Sequence, residues 1–439
     1  MLAGSVTAWE AADWNSTRLG WQQRRGSSSL AVTAEAEAIE AGAISSVMRC
    51  LREHWSNPDI FMWAMGAMGA MCLGLDEAAL KAKDAAAEQG AILAAMQGLK
   101  IHADCEGFLT RIAPFALSTL ATICVNMSST RQMEASKQQM MLDVDVMGHM
   151  LSLLRQFTTE DMLNEIASTF LSGSLRSGTY GPTPSVFFFN AWDGGAMSII
   201  ARILARPDTP ASTLSSCLRA ITTLSEGSVY CLTDAAHAAK MLVHADAFEA
   251  ALSAVMKCAE CRTEWKIVEL CLHAIAGLVQ AEDATGVRRK AMAIELGVLP
   301  YLKATLCRFD QVNLIALYGC NLLYNLSLPG SFAGRIQRQR ELLDADLLST
   351  ILLVMNAHSH DANVQQVAIS TLWTLSAGFE PPFVCFATLA IEANAIESIE
   401  RAVKLHHDGA DVQKLGAKAI HTIKAAGGLR SDSEVHFVI

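Results

Sequence analysis

Residues 257–273, KCAECRTEWKIVELCLH, set Cys258, Cys261, Cys271 and His273 in a CxxC-x9-CxH arrangement. Two thiolates three residues apart can reach one zinc ion from a tight turn, and such a pair can also cycle between dithiol and disulfide. Cys271 and His273 stand two apart on an expected helix and so point about 160° away from each other. That direction argues against a four-ligand zinc site. A three-cysteine partial site on Cys258, Cys261 and Cys271, a redox pair of Cys258 and Cys261, and plain core packing stay open.

No other grouping suggests catalysis. The chain has no phosphate-cradling glycine loop between strand and helix, no HExxH, no GxSxG and no kinase signature. GAMGAMCLG at 66–74 is glycine-rich, but its methionines recur every third position, as in a buried helix. The expectation is a non-enzyme without a cofactor.

Two cationic clusters stand out on an acidic chain: Arg288, Arg289 and Lys290, and Arg335, Arg338 and Arg340. If neighbouring elements stack, the two merge into one basic patch able to read an acidic protein segment.

The elements that position these residues come from a repeated phrase. AIEAGAISSV (38–47), AIELGVLPYL (293–302) and AIEANAIESI (390–399) share an apolar helix end, a turn residue and a second apolar run. Further copies put the turn residue at Gly42, Gly90, Asp145, Gly195, Asp246, Gly297, Asp346 and Asn394, at intervals of 48, 55, 50, 51, 51, 49 and 48. Gly and Asn tolerate a left-handed backbone there, and Asp or Asn can cap the following helix. A second phrase closes each unit, as in CLRAITTL (217–224), GCNLLYNL (319–326) and AISTLWTL (368–375), with apolar steps of three and four. A unit therefore reads as a short first helix, a turn, a second helix, a loop and a longer third helix.

GVLPYL at 297–302 and VQQVAISTLWTLSAG at 364–378 resemble the armadillo repeat. The period of roughly 50 residues is similar to that of the armadillo-type region of leucine-rich repeat kinases. The resemblance implies an all-α right-handed solenoid of about eight repeats over residues 34–427. Residues 1–33 and 428–439 are tails, repeat three (131–178) is the weakest copy, and 172–185 is a loop. Trp9, Trp14 and Trp21 suit an N-terminal cap or an anchor on a partner, and the ending EVHFVI is an apolar pattern that C-terminal-peptide binding domains accept.

The resemblance also implies a groove lined by third helices, where peptide-binding members carry an Asn near the helix end and a Trp one turn earlier. Here the Asn position matches only at Asn325, and the earlier position holds no Trp. This departs from importin-like recognition of basic signals. From repeat four onward the earlier position reads Arg219, His273, Asn321, Ser370 and Lys418, and Thr374 stands in the Asn column. Such a polar row suits an extended polar or acidic protein segment. The expected role is a scaffold or adaptor. The alternatives are a permanent subunit of a large assembly that uses its apolar and Met-rich surfaces, and a metal- or redox-responsive protein centred on the CxxC.

Composition narrows the partners. Hydrophobic residues make up 51% and charged residues 18%, enough for a large core. The net charge of −10 argues against nucleic acid. The longest uncharged run, residues 60–75, falls short of the roughly 20 residues that span a bilayer. Scattered cysteines without a secretory signal suit the cytoplasm, although Arg18, Arg24 and Arg25 beside a serine run leave an organellar address open.

Overall fold

The computed structural model describes residues 37, 39, 41–74, 76–124, 130–178, 184–230, 242–328, 332–377 and 381–428. Among these residues every regular element is a helix. The described chain up to Val146 forms one compact unit, and that from Met147 onward forms a second. The division falls inside repeat three, the weakest copy by sequence.

The first unit holds α1 (Ala43–Glu53), α2 (Pro58–Met71), α3 (Glu77–Glu88), α4 (Ala91–Ile101), α5 (Ala113–Cys124) and α6 (Arg131–Asp143). A π turn at Phe108–Ile112 runs into α5 just before Pro114, whose missing N–H interrupts an α-helical ladder. The uncharged run becomes a core helix: Phe61, Met62, Met65 and Met68 of α2 are buried, while Trp63 is 57% exposed. Asn57 starts α2 by accepting from the amides of Asp59 and Ile60.

The second unit continues with α7 (Val146–Gln156), α8 (Asp161–Gly178), α9 (Pro184–Asp193), α10 (Ala196–Leu204), α11 (Ala211–Tyr230), α12 (Ala245–Cys261) and α13 (Trp265–Leu278). It ends with α14 (Ala284–Glu295), α15 (Val298–Arg308), α16 (Asn313–Ser327), α17 (Phe332–Asp344), α18 (Leu347–Ala357), α19 (Ala362–Ser376), α20 (Pro381–Glu392), α21 (Ala395–Leu405) and α22 (Ala410–Gly428). Third helices pack side by side in the order α8, α11, α13, α16, α19, α22. Second helices stack likewise, α10 on α12, and α15 on α18 on α21. Each repeat thus buries its apolar stripe against the next.

The turn residues behave as their types require, with one exception. Gly42, Gly90, Asp145, Gly195, Gly297, Asp346 and Asn394 all have positive φ. A Cβ at Gly297 would meet nothing within 4 Å, so glycine is favoured there by the backbone alone. Asp246 instead lies inside the first turn of α12, which begins one residue earlier. Capping also differs from the expectation: neither Asp346 nor Asn394 caps the following helix with its side chain. A left-handed residue directs its side chain away from those amides, and Asp346 Oδ2 accepts from Lys303 Nζ at 3.0 Å instead.

Two further expectations change. First helices are not short: α3, α6, α14, α17 and α20 have 12 or 13 residues against 11 in α4, α7, α15, α18 and α21. The expected loop at 172–185 is helical through Gly178, because α8 runs on for 18 residues. The last helix includes Gly428, the first residue of the expected C-terminal tail. The N-terminal tail with Trp9, Trp14 and Trp21, and residues 429–439 with EVHFVI, lie outside the described residues.

Candidate functional site

The outward row of third-helix side chains in the second unit is polar, and parts of it are locked across repeats. Arg219 on α11 is exposed. His273 on α13 stacks on Tyr318 of α16, with ring centroids 4.0 Å apart and planes within 12°. Its Nε2 lies 3.2 Å from Glu226 Oε1 on α11, so three successive third helices meet at this imidazole. Glu269, one turn before His273, has its carboxyl pushed up by burial, with Arg219, His273 and Lys266 opposing that. Asn321 is half-buried, and Ser370 Oγ donates to the Gln366 carbonyl at 2.8 Å. Lys418 is exposed, with Nζ 5.3 Å from the Trp373 ring centre.

The neighbouring column faces inward. Asn325 is buried, and its Nδ2 donates to the Ala276 carbonyl at 3.0 Å. Thr374 is buried and donates to the Ser370 carbonyl at 2.8 Å. Both help fasten or fill the stack, and neither presents a donor to a ligand. The residues just before them, Tyr324 and Trp373, are half-buried, and His421 in the same register is exposed. The signal for this aromatic column is its register, one residue before the Asn position in each of the three third helices. Beside it the charge pattern is uneven. α16 and α19 carry no charged residue, whereas α22 exposes Lys414, Lys418, His421 and Lys424 and has one acid, Asp411.

The predicted basic patch is corrected. Arg288 is exposed and pairs with Glu249 at 2.8 Å, and Arg340 is exposed, while the side chain of Arg335 lies outside the described residues. Arg289, Lys290 and Arg338 are buried. Arg289 Nε donates to the Leu278 carbonyl at 2.6 Å, and its guanidinium sits 5.0 Å from the Phe248 ring centre. Arg338 donates to the Leu326 and Leu328 carbonyls at 3.1 and 3.0 Å. Arg289 and Arg338 thus serve the unpaired carbonyls that end α13 and α16, where the helix dipole also favours positive charge.

The sequence carried a second regularity of this kind. Asn164, Gln365 and Gln413 each stand nineteen residues after the turn residue of their repeat, Asp145, Asp346 and Asn394. Each donates its side-chain amide back to carbonyls at the end of the preceding helix: Asn164 to Thr158, Gln365 to Met355 and His358, Gln413 to Val403 and His406.

At the cysteine cluster, Cys258 and Cys271 are buried with their sulfurs 4.0 Å apart, while Cys261 is exposed at the end of α12. His273 is engaged by Glu226 and Tyr318. Among the described residues no group of three or more His, Cys, Asp or Glu is arranged to hold a metal ion. A shallow apolar groove of ≈ 330 Å³ lies away from the third-helix face, lined by Leu342, Leu347, Phe386, Leu389 and Glu392 among others. Among the described residues no single helix is long and apolar enough to cross a membrane.

No family model matches the chain, and no curated protein matches it by sequence. Solved structures do match. One comes from a study of a phosphorylation switch that controls the interaction between cadherin and beta-catenin. It superposes with a TM-score of 0.64 over 90% of this chain and 68% of the other, at 12% identity. The fold is an armadillo-like α-solenoid. At that identity the likeness speaks for the fold alone.

Proposed function

We propose that this chain is a non-catalytic interaction scaffold or adaptor of the cytoplasm. Its third-helix face from α11 to α22 takes an extended polar or acidic protein segment. The observation that carries the reading is the polarity of that face. An uncharged stretch with Tyr318, Tyr324 and Trp373 leads into Lys414, Lys418 and Lys424 on an otherwise acidic chain. Aromatic faces receive apolar anchors, and the lysines receive carboxylates. The His273 stack and the Trp373–Lys418 contact hold the row in place before any ligand arrives, which lowers the ordering cost of binding. A solenoid of this kind presents an extended concave surface, which fits a protein partner.

The test is fluorescence anisotropy with labelled extended peptides, one acidic with a single aromatic anchor and one its lysine-rich counterpart. Acidic binding that weakens with salt and drops at least tenfold in Arg219→Ala/Asn321→Ala/Lys418→Ala, with unchanged thermal unfolding, supports the reading. Equal binding of both peptides, or binding that the triple variant leaves untouched, refutes it.

A second reading, a permanent subunit of an assembly, is favoured by apolar side chains exposed away from this face: Leu353 on α18, Leu405 on α21, and Leu389 beside the groove, each 41–42% exposed. A chain that remains monomeric and soluble across a wide concentration range counts against it.

A further inference from the structure

We infer that Cys258 and Cys271 are a reversible oxidation site, closing a disulfide between the second and third helices of repeat five. This site is independent of the third-helix face. α12 and α13 are packed neighbours, and the Cys271 S–H donates to Cys258 Sγ at 4.0 Å. It is the one sulfur–sulfur hydrogen bond among the described residues. From that contact the sulfurs need to approach by roughly 2 Å to reach bonding distance. The partner of Cys258 is then Cys271 on the facing helix. Cys261, three residues on, is exposed at the helix end.

The surroundings separate this pair from the other buried thiols. Burial pushes Cys72, Cys124, Cys217 and Cys320 up to about 12. Cys258 is instead held below the usual thiol range: the Cys271 S–H lowers it, burial opposes that, and Arg262 lowers it further. Cys271, the donor, is raised, first by that same hydrogen bond and then by burial. The division of roles follows. The Cys258 thiolate attacks one oxygen of a peroxide, the O–O bond breaks, and the departing hydroxide takes a proton. Cys258 is left as a sulfenic acid. The Cys271 sulfur then gives up its proton and attacks the Cys258 sulfur, and the S–O bond breaks with loss of water. Two thiols are oxidised, one hydrogen peroxide is reduced to two waters, and thiol reductants reverse the disulfide.

The full chain, reduced and then treated with hydrogen peroxide, tests this by alkylation of remaining thiols and peptide mapping. The expected product is a crosslink between the Cys258 and Cys271 peptides, reversed by dithiothreitol, with Cys261 still alkylated. The oxidised form is expected to unfold at a higher temperature than the reduced form, since the link closes a chain loop. Cys261→Ser keeps the crosslink. Cys271→Ser loses it and leaves Cys258 trappable as a sulfenic acid. A Cys258–Cys261 crosslink, or no internal crosslink at peroxide levels that oxidise Cys261, overturns the inference. Should Cys271→Ser fail to fold, the wild type and Cys261→Ser decide the matter between them.

Discussion

First helices in both compact units place a buried cation at one register, and the two units satisfy it differently. Lys137, Arg289 and Arg338 each precede their repeat's turn residue by eight positions. In the first unit Lys137 Nζ meets Asp84 Oδ1 at 2.7 Å, with both side chains nearly out of water. Next to it Lys83 Nζ donates to the Gly74 carbonyl just beyond α2, at 2.7 Å. In the second unit Arg289 donates to Leu278 O and the Thr285 hydroxyl, and Arg338 donates to the Leu326 and Leu328 carbonyls. For the two arginines the need is the set of unpaired carbonyls at a third-helix end. Arginine meets it with several fixed donors, whereas lysine is a compact point charge. Where the register holds lysine, a carboxylate has joined it. A cluster that reads as a recognition patch in sequence is therefore partly core.

The largest effect is expected from the first unit. Asp84→Ala leaves Lys137 charged and unpaired, at a cost of about 3–5 kcal/mol, visible as a lower denaturant midpoint. A loss under about 1 kcal/mol would show the pair behaving as a surface bridge. Arg338→Met comes next in the second unit, at about 1.5–3 kcal/mol for the lost charged hydrogen bonds; a neutral result would mean water replaces the guanidinium.

Lys290 sharpens the contrast by sign. Its Nζ has no hydrogen-bond partner among the described residues, and burial, with Arg338 and Arg289 nearby, lowers its pKa from 10.5 to about 8. Between pH 8 and 10.5 the unfolded chain then binds the extra proton, so this group's contribution to stability rises with pH across that window. Lys290→Met is expected to flatten the rise and to add roughly 1–3 kcal/mol at pH 7. Urea melts at pH 7, 9 and 10.5 check it, and an unchanged slope would show that Lys290 stays protonated. Arg288→Ala, the exposed neighbour, should change stability by less than about 1 kcal/mol.

Legibility in the sequence followed the backbone's demands. Gly42, Gly90, Gly195 and Gly297 were readable because a left-handed turn restricts residue type sharply, and Asp145, Asp346 and Asn394 because they are the next most tolerant types. Asp246 misled because an aspartate in the first turn of a helix looks the same in sequence as one in the turn before it. Of the groove columns, the register of Arg219 and Lys418 could be read, but Asn325 and Thr374 could not be assigned a side. One residue on a helix is about 100° of rotation, enough to move a side chain from solvent into the stack. The Cys258–Cys271 contact spans two helices, and its partner was hidden behind a nearer CxxC.

The most direct test of the central claim maps where an acidic segment sits. An acidic peptide carrying a photo-activated crosslinker at its aromatic anchor would be bound, irradiated and digested, and its adducts located by mass spectrometry. The account predicts adducts on α16, α19 and α22, near Tyr324, Trp373 and Lys418. Adducts on the second helices instead, around Leu353 and Leu405, would contradict it and point to the assembly surface.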